Sequence, residues 1–325
     1  MLRTPFCDLL GIQYPIMQAG MGPFGSSAAL AAAVSNAGAL GSLGGALRTA
    51  EDLRGGIRKV QQLTGRPFAV NFTQPWLQGH PESFDIALEM GAPVISLALG
   101  DPARLPERAH AAGALFIQQV HTVQQARSAA ERGADVIIAQ GAEAGGFGGS
   151  ISTFVLVPQV VDAVTPLPVL AAGGIADGRG VAAAIMLGAQ GVNMGTRFLA
   201  SVEASISESW KQSLVAADSQ DAVKVEVWDD IFAKPVNGAF DVVPRALRTP
   251  FINQWLTNRA QAGQQAARLQ EDIGAGIREG RMEEYVPFTG QSAGLIGSVL
   301  PAADIVEELV AVAMASLRRT GELDA

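Results

Sequence analysis

Residues 168–197 have the sequence PVLAAGGIADGRGVAAAIMLGAQGVNMGTR, in which two short apolar runs flank a helical pattern. The runs are 168–172 (PVLAA) and 191–194 (GVNM), and Asp177 between them is a residue type that favours the N-cap of a helix. A strand followed by a helix and a second strand is typical of a parallel sheet, because the chain must cross back before the next strand begins. The stretch therefore predicts a βαβ unit.

The same alternation extends through the preceding part of the chain. Further apolar runs, each followed by a helical pattern, lie at 15–19, 39–43, 67–72, 94–99, 114–120 and 135–140. Together with the two runs above they predict eight parallel strands, and near-continuous apolar strands fit a sheet that is buried on both faces. We expect an α/β fold with a (β/α)8 TIM barrel as the simplest closure. A doubly wound open sheet is the alternative.

The strand and helix alternation stops after Ser201. Residues 205–289 show no further alternation and contain three tryptophans that we expect to form a core, Trp210, Trp228 and Trp255. The segment begins after the last predicted strand, at the end of a barrel where active sites lie. It is therefore predicted to form an inserted, mainly helical second domain that acts as a lid.

A helical pattern that suits the barrel returns near the C-terminus. Residues 302–317 carry apolar side chains at helical spacing and fit a last barrel helix that packs back on the sheet. We therefore predict a barrel domain of residues 1–204 plus 290–325, with the inserted lid domain at residues 205–289.

Composition and charge exclude several classes of function. Lys and Arg total 23 against 31 Asp and Glu, and the formal net charge of −8 offers no field that attracts nucleic acid. The single cysteine, Cys7, and three histidines cannot supply a Cys/His cluster, so no metal is expected. No signal-peptide pattern and no run of about 18 apolar residues occurs, so we expect a cytoplasmic protein with no membrane partner. The oligomeric state stays open, with a homodimer among the options.

Glycine-rich segments follow several of the predicted strands. Gly173 and Gly174 follow the seventh strand, and Gly195 with Thr196 follows the eighth, where barrels bind phosphate with backbone N–H groups and a helix N-terminus. The segments 141–149 and 18–22 can lie flat against a planar ligand, because glycine has no side chain to keep the ligand away. No Gly-x-Gly-x-x-Gly follows the first strand, which disfavours a Rossmann dinucleotide site. These segments indicate flavin mononucleotide (FMN) rather than a simple sugar phosphate.

Several stretches together resemble the nitronate monooxygenase family, formerly called nitropropane dioxygenases, with its enoyl-reductase and quinone-reductase relatives. They extend over essentially the whole chain, at 15–22 (PIMQAGMG), 31–41 (AAAVSNAGALG), 70–72 (VNF), 140–146 (QGAEAGG), 171–180 (AAGGIADGRG), 191–201 (GVNMGTRFLAS) and 290–295 (GQSAGL). The resemblance implies an FMN-dependent α/β barrel with an inserted helical domain and a small-molecule substrate.

The resemblance also assigns residues to the cofactor. It implies one set around the isoalloxazine ring, a polar pair at the edge of the ring and a set that holds the phosphate. The complete set is Ala19, Gly20, Met21, Gly22, Asn71, Gln119, Gln140, Ala144, Gly145, Gly146, Ala172, Gly173, Gly174, Met194, Gly195 and Thr196.

One position departs from the family pattern in a way that affects the chemistry. The family motif continues Glu-Ala-Gly-Gly-His, and the resemblance makes that histidine the acid/base, but Phe147 stands there in this chain. Phenylalanine has no exchangeable proton, so it can neither deprotonate a nitroalkane nor protonate a reduced product. The candidates for a replacement acid/base are His80 and Glu143, with His121 and Tyr285 as weaker alternatives.

Three classes of function stay open. The first is an FMN-dependent oxidoreductase that passes hydride between a small or medium organic substrate and flavin N5. Within it lie an NADH- or NADPH-dependent enoyl or quinone reductase, an oxidative dehydrogenase and an oxygen-using nitronate monooxygenase. The second class is a flavin-free barrel acting as a lyase or isomerase on a phosphorylated metabolite. The third is a non-catalytic flavin-binding protein.

Overall fold

The computed structural model describes residues 2–232 and 242–321, and its strands form two sheets. In chain order the strands are β1 (Ile16–Gln18), β2 (Gly41–Gly44), β3 (Phe68–Thr73), β4 (Val94–Ala98), β5 (Leu115–Val120), β6 (Val136–Gln140), β7 (Gly146–Gly148), β8 (Val169–Ala172), β9 (Gly191–Met194), β10 (Ala222–Lys224) and β11 (Val243–Leu247).

The larger sheet is a parallel barrel. Its eight strands have the order β1-β9-β8-β6-β5-β4-β3-β2, and every pair between neighbours is parallel. A parallel bridge between Met17 and Leu40 joins the first and last strands of that order and closes the sheet. The (β/α)8 prediction is therefore confirmed, and the open doubly wound sheet is excluded.

Helices alternate with the barrel strands and continue into the segment after β9. They are α1 (Pro5–Leu10), α2 (Gly22–Gly25), α3 (Ala28–Asn36), α4 (Ala50–Leu63), α5 (Gln74–Gly79), α6 (Glu82–Glu89), α7 (Leu105–Ala111), α8 (Val123–Glu131), α9 (Thr153–Val164), α10 (Gly178–Met186), α11 (Thr196–Leu199), α12 (Glu208–Val215), α13 (Trp228–Ile231), α14 (Pro250–Thr257), α15 (Arg259–Gln264), α16 (Ala266–Arg278) and α17 (Ala302–Gly321). Short 3-10 helices lie at Ser219–Asp221, Met282–Glu284 and Gln291–Leu295. Within the described ranges, none of the helices is long and apolar enough to cross a membrane.

Side chains from successive strand positions enter two different cores. In β6, Val136 and Ile138 belong to a cluster inside the barrel, whereas Ile137 and Ala139 belong to the layer between strands and helices. This alternation follows from the two-residue period of a β-strand. The inner cluster also contains side chains of α1, so that helix seals the barrel at the end opposite to the loops described below.

The smaller sheet joins the segment after β9 to a barrel loop. It is antiparallel, with the order β10-β11-β7, and its register pairs Phe147 of β7 with Pro244 of β11. The sequence predicted a mainly helical insertion, and helices α12–α16 agree with that, but β10 and β11 were not anticipated. The glycine loop after β6 contributes β7 to their sheet, and local sequence patterns do not encode such a contact between distant parts of the chain.

Candidate active site

A cavity of about 600 Å³ lies at the C-terminal ends of the barrel strands. Its floor and sides come from the loops after the strands, and its roof comes from the segment that follows β9. All the residues that the resemblance assigns to the cofactor line this cavity, and so does Phe147. The volume lies within the range of about 300–1,000 Å³ that is typical of small-molecule sites. The structure thus brings the predicted cofactor residues together in one cavity.

The glycine loop after β6 is attached closely to the loop that begins the final segment of the chain. A Cβ atom on Gly145 would lie 2.6 Å from the backbone nitrogen of Gly290, so only glycine fits there. Gly290 N–H donates to Thr196 Oγ1 at 2.9 Å, and Gln291 N–H donates to the backbone oxygen of Glu143 at 2.9 Å. Gly290 and Gln291 therefore link the loops after β6 and β9 on one side of the cavity.

The loop after β8 has backbone dihedrals that glycine favours, with φ of +99° at Gly173 and +72° at Gly174. The helix that follows it, α10, is capped by its own Asp177, whose carboxylate accepts from the N–H groups of Arg179 at 2.9 Å and Gly180 at 3.1 Å. The sequence predicts a phosphate near a helix N-terminus, but this carboxylate makes the start of α10 unsuitable for an anion. The N–H groups that suit a phosphate belong to the glycine loops, and in the loop after β9 they include Gly195 and Thr196 at the start of the short helix α11.

The cavity floor presents neutral amide side chains from four strands, Asn71, Gln119, Gln140 and Asn193. Gln119 Nε2 donates to Gln140 Oε1 at 3.1 Å, and Asn71 Nδ2 donates to Ser96 Oγ at 3.2 Å. Asn193 is 5% exposed, and its Oδ1 has no hydrogen-bond partner among the described residues. Neutral amides that offer both donors and acceptors fit the polar edge of a flavin ring. Asn193 was missed in the sequence, although it lies within the quoted GVNM run.

Aromatic side chains form the roof of the cavity. The ring of Phe147 packs against Trp228 and Phe288, with centroid distances of 5.5 and 5.6 Å. Trp76, Trp210 and Phe232 also line the cavity. The expectation that the tryptophans of the insertion form a core is confirmed for Trp210 and Trp255, which are buried, and Trp210 and Trp228 also line the cavity. Phe147, at the position where the resemblance implies a histidine, is part of an apolar cluster that joins the glycine loop to the roof.

The two leading acid/base candidates do not line the cavity. His80 is exposed, and its ring stacks on Trp76 with a centroid distance of 3.7 Å. The carboxylate of Glu143 accepts from the N–H of Thr153 at 3.0 Å and from its Oγ1 at 2.9 Å, so it caps the start of α9. Neither side chain faces the cavity in this structure, so the prediction that they supply an acid/base there is wrong.

Other ionisable groups are placed as follows. Tyr285 packs against Phe251 and does not line the cavity, and His121 lies behind the cavity wall. Asp229 is the only ionisable side chain among the described residues that line the cavity. No group of three His, Cys, Asp or Glu side chains that could hold a metal is found in the part of the chain that the structure describes.

Two cations from the small sheet hold the glycine loop to the roof. Lys224 Nζ donates to the backbone oxygens of Gly148 at 2.9 Å, Gly149 at 3.2 Å and Val243 at 3.0 Å. Arg245 Nη2 donates to the backbone oxygen of Ala142 at 3.0 Å. Burial, with the nearby Arg245 as a smaller cause, lowers the pKa of Lys224 from 10.5 to about 8. The sequence carries no local signal for the role of either cation, because their partners are backbone oxygens in a distant loop.

The lowered pKa of Lys224 predicts a pH-dependent stability. Between pH 8 and 10.5 the unfolded chain keeps the Lys224 proton while the folded chain releases it, so the free energy of unfolding rises with pH in this window. We expect the urea midpoint of the wild type to rise relative to that of Lys224→Met when the pH is raised from 7.5 to 10. Lys59→Met, at an exposed position, is the control. Parallel pH profiles for the wild type and Lys224→Met would contradict the prediction.

The closed parallel barrel and the cavity at the C-terminal ends of its strands define a (β/α)8-barrel enzyme. Comparison with known proteins gives the family. The nitronate monooxygenase family model matches residues 3–311, and the chain belongs to this family of oxidoreductases.

Individual relatives are similar over nearly the whole chain. A (3aS,4S,5R,7aS)-5-hydroxy-7a-methyl-1-oxo-octahydro-1H-indene-4-carboxyl-CoA dehydrogenase from Mycobacterium tuberculosis is 33% identical over 99% of this chain and 99% of its own length. The structure of FabK from Thermotoga maritima superposes with a TM-score of 0.88 at 34% identity, covering 99% of this chain and 100% of that one. A nitroalkane oxidase from Streptomyces ansochromogenes has a TM-score of 0.81 at 28% identity, covering 97% and 99%.

Proposed function

We propose that this protein is an FMN-dependent oxidoreductase that transfers hydride between flavin N5 and a small or medium organic substrate. The observation that carries the proposal is the cavity itself, in which the glycine loops, the amide floor and the aromatic roof surround one space. Bound FMN would supply an acceptor or donor of hydride. Family membership and the oxidoreductase names of the relatives support the proposal.

In this proposal, different residues of the chain bind the phosphate, the polar edge and the flat faces of FMN. Backbone N–H groups of Gly173, Gly174, Gly195 and Thr196 bind the phosphate, because they line the cavity beside glycine residues that leave room for it. The neutral amides of the floor bind the polar edge of the ring. The loops 19–22 and 144–146 contact the flat faces of the ring, where side chains would prevent a close approach.

The aromatic roof favours a neutral, apolar part of a substrate, since its rings offer large apolar surfaces. No histidine faces the cavity in the described residues, so a reaction that begins by removing a proton from a neutral nitroalkane has no histidine base. We therefore favour a dehydrogenase or reductase acting on an apolar ring or chain over an oxidase of neutral nitroalkanes. The 33% identity to a dehydrogenase of a bicyclic carboxyl-CoA supports a dehydrogenase or reductase.

We propose that residues 205–289 act as a lid and leave the phosphate to the barrel domain of residues 1–204 plus 290–325. Trp210 and Trp228 of the insertion line the cavity, whereas the loops that suit the phosphate belong to the barrel. The glycine loop joins the two parts through β7 and β11. A cytoplasmic location and a homodimer stay predictions from the sequence.

The cofactor proposal is tested by isolating the protein and identifying what it binds. We expect a yellow protein that releases FMN on heating, with one FMN per chain measured by absorbance and chromatography. FAD in the heat extract, or a colourless protein that binds no FMN on reconstitution, would contradict the proposal. The colourless result would favour the flavin-free lyase or isomerase.

The direction of the reaction is tested by anaerobic mixing of the FMN-loaded protein with NADH, NADPH, nitronates and 2-enoyl- or 3-hydroxyacyl-CoA thioesters. Loss of flavin absorbance identifies electron donors, and recovery of absorbance with enoyl thioesters or quinones identifies acceptors. We expect turnover with a thioester or quinone. Reaction with nitronates and oxygen alone would favour the monooxygenase, and no reduction by any donor would favour a non-catalytic flavin-binding protein.

A further inference from the structure

His121 lies behind the wall of the main cavity and contacts one of the residues that line it. The residue is 5% exposed and follows β5 directly. Its Nε2 lies 2.7 Å from Oε1 of Gln140, which lines the main cavity. His121 also lines a separate cavity of about 140 Å³. The imidazole therefore does not line the main cavity but contacts Gln140, which does.

The contacts of Gln140 determine which end of its amide faces the cavity. Its Oε1 lies 3.1 Å from Nε2 of Gln119 as well as 2.7 Å from Nε2 of His121. Both neighbours approach the oxygen, so the NH2 group of Gln140 is left for the cavity. Burial lowers the pKa of His121, and a neutral imidazole carries a single N–H. The backbone of Phe147 is a second hydrogen-bond partner of the ring, and the bond to Gln140 forms when the single N–H is on Nε2.

We propose that His121 is a positioning residue that fixes the amide of Gln140 with its NH2 group toward the flavin ring. The inference rests on the proposed function, because it requires FMN in the main cavity. An N–H donor at the ring edge stabilises the negative charge that the ring gains on reduction. Without His121 the amide can turn, and its oxygen would then repel that charge. His121 thus sets the reduction potential of the flavin without touching it.

The test is the two-electron reduction potential of bound FMN in His121→Phe, measured with reference dyes. The equilibrium constant for reduction is expected to fall about tenfold, which corresponds to a potential about 30 mV more negative. His121→Gln keeps an N–H donor for Gln140 and is expected to restore most of the potential. The matched control is His80→Phe, which changes an exposed histidine outside the cavity lining and is expected to leave the potential unchanged.

A second variant shows whether the effect passes through Gln140. Gln140→Leu is expected to lower the reduction equilibrium by a similar factor, and the double variant is expected to show no further fall, because both changes remove the same donor. A wild-type potential in His121→Phe at full FMN occupancy, or two effects that simply add, would overturn the inference. If His121→Phe does not fold, a wild-type potential in Gln140→Leu overturns it. Absence of FMN from the wild type would refute the proposed function instead.

Discussion

Gly174→Asp is expected to purify without bound flavin, with its affinity for FMN lowered about 10²- to 10³-fold. Gly174 lines the cavity in the loop proposed to bind the phosphate. Two unit charges about 4 Å apart repel by about 4 kcal/mol at an effective dielectric constant of 20, which is almost three orders of magnitude in affinity. A Cβ atom at this position would lie 3.5 Å from Cβ of Glu143, so the new carboxylate also meets a neighbouring carboxylate residue if it turns away. Quenching of FMN fluorescence during titration of the apoprotein measures the affinity.

Gly280→Asp is the matched control for this change. Gly280 also has φ of +72°, and a Cβ atom there would meet nothing within 4 Å. The control therefore introduces the same residue at the same backbone dihedral without approaching the cavity loops. It is expected to bind FMN as the wild type does. Equal FMN affinity in the two variants would place the phosphate away from the loop after β8.

The barrel could be predicted because its determinants are local. The run 168–172 predicted a strand that the structure has at Val169–Ala172, and Asp177 caps the helix that follows as its residue type suggests. In β6 the side chains alternate with a two-residue period between the inner core and the outer layer. The C-terminal ends of parallel strands share one end of a barrel, so the sequence also placed the glycine loops together.

The roof of the cavity could not be predicted, because its contacts join distant parts of the chain. Phe147 pairs with Pro244 in register and packs against Trp228 and Phe288, which lie in separate segments. Glu143 has the chemistry of an acid/base, but the structure uses it to cap α9. A residue type indicates what a side chain can do, whereas its neighbours decide which of those roles it performs.

Phe147→His is expected to raise kcat/KM for neutral nitroalkanes about 10²- to 10⁴-fold, the usual contribution of a positioned general base. Position 147 lines the cavity, so an imidazole there would face the substrate space. Nitronates are already ionised and need no base, so their rates are expected to change little. Anaerobic flavin reduction by nitroethane and by its nitronate, at equal flavin content, gives the two rates.

Phe147→Gln separates the base from a change in polarity, because glutamine is polar and cannot accept the proton. It is expected to react with nitroethane as slowly as the wild type. The histidine variant alone is expected to gain an inflection near pH 6.5, the ordinary pKa of histidine, with the rate higher above it because the neutral imidazole is the base. Activity on an apolar substrate is expected to fall in both variants, since each weakens the packing of residue 147 against Trp228 and Phe288.

The prediction is contradicted if the wild type already reduces its flavin with neutral nitroethane as fast as Phe147→His does. Position 147 is then not the acid/base position. The base to test next is Asp229, the one ionisable residue among the described residues that line the cavity.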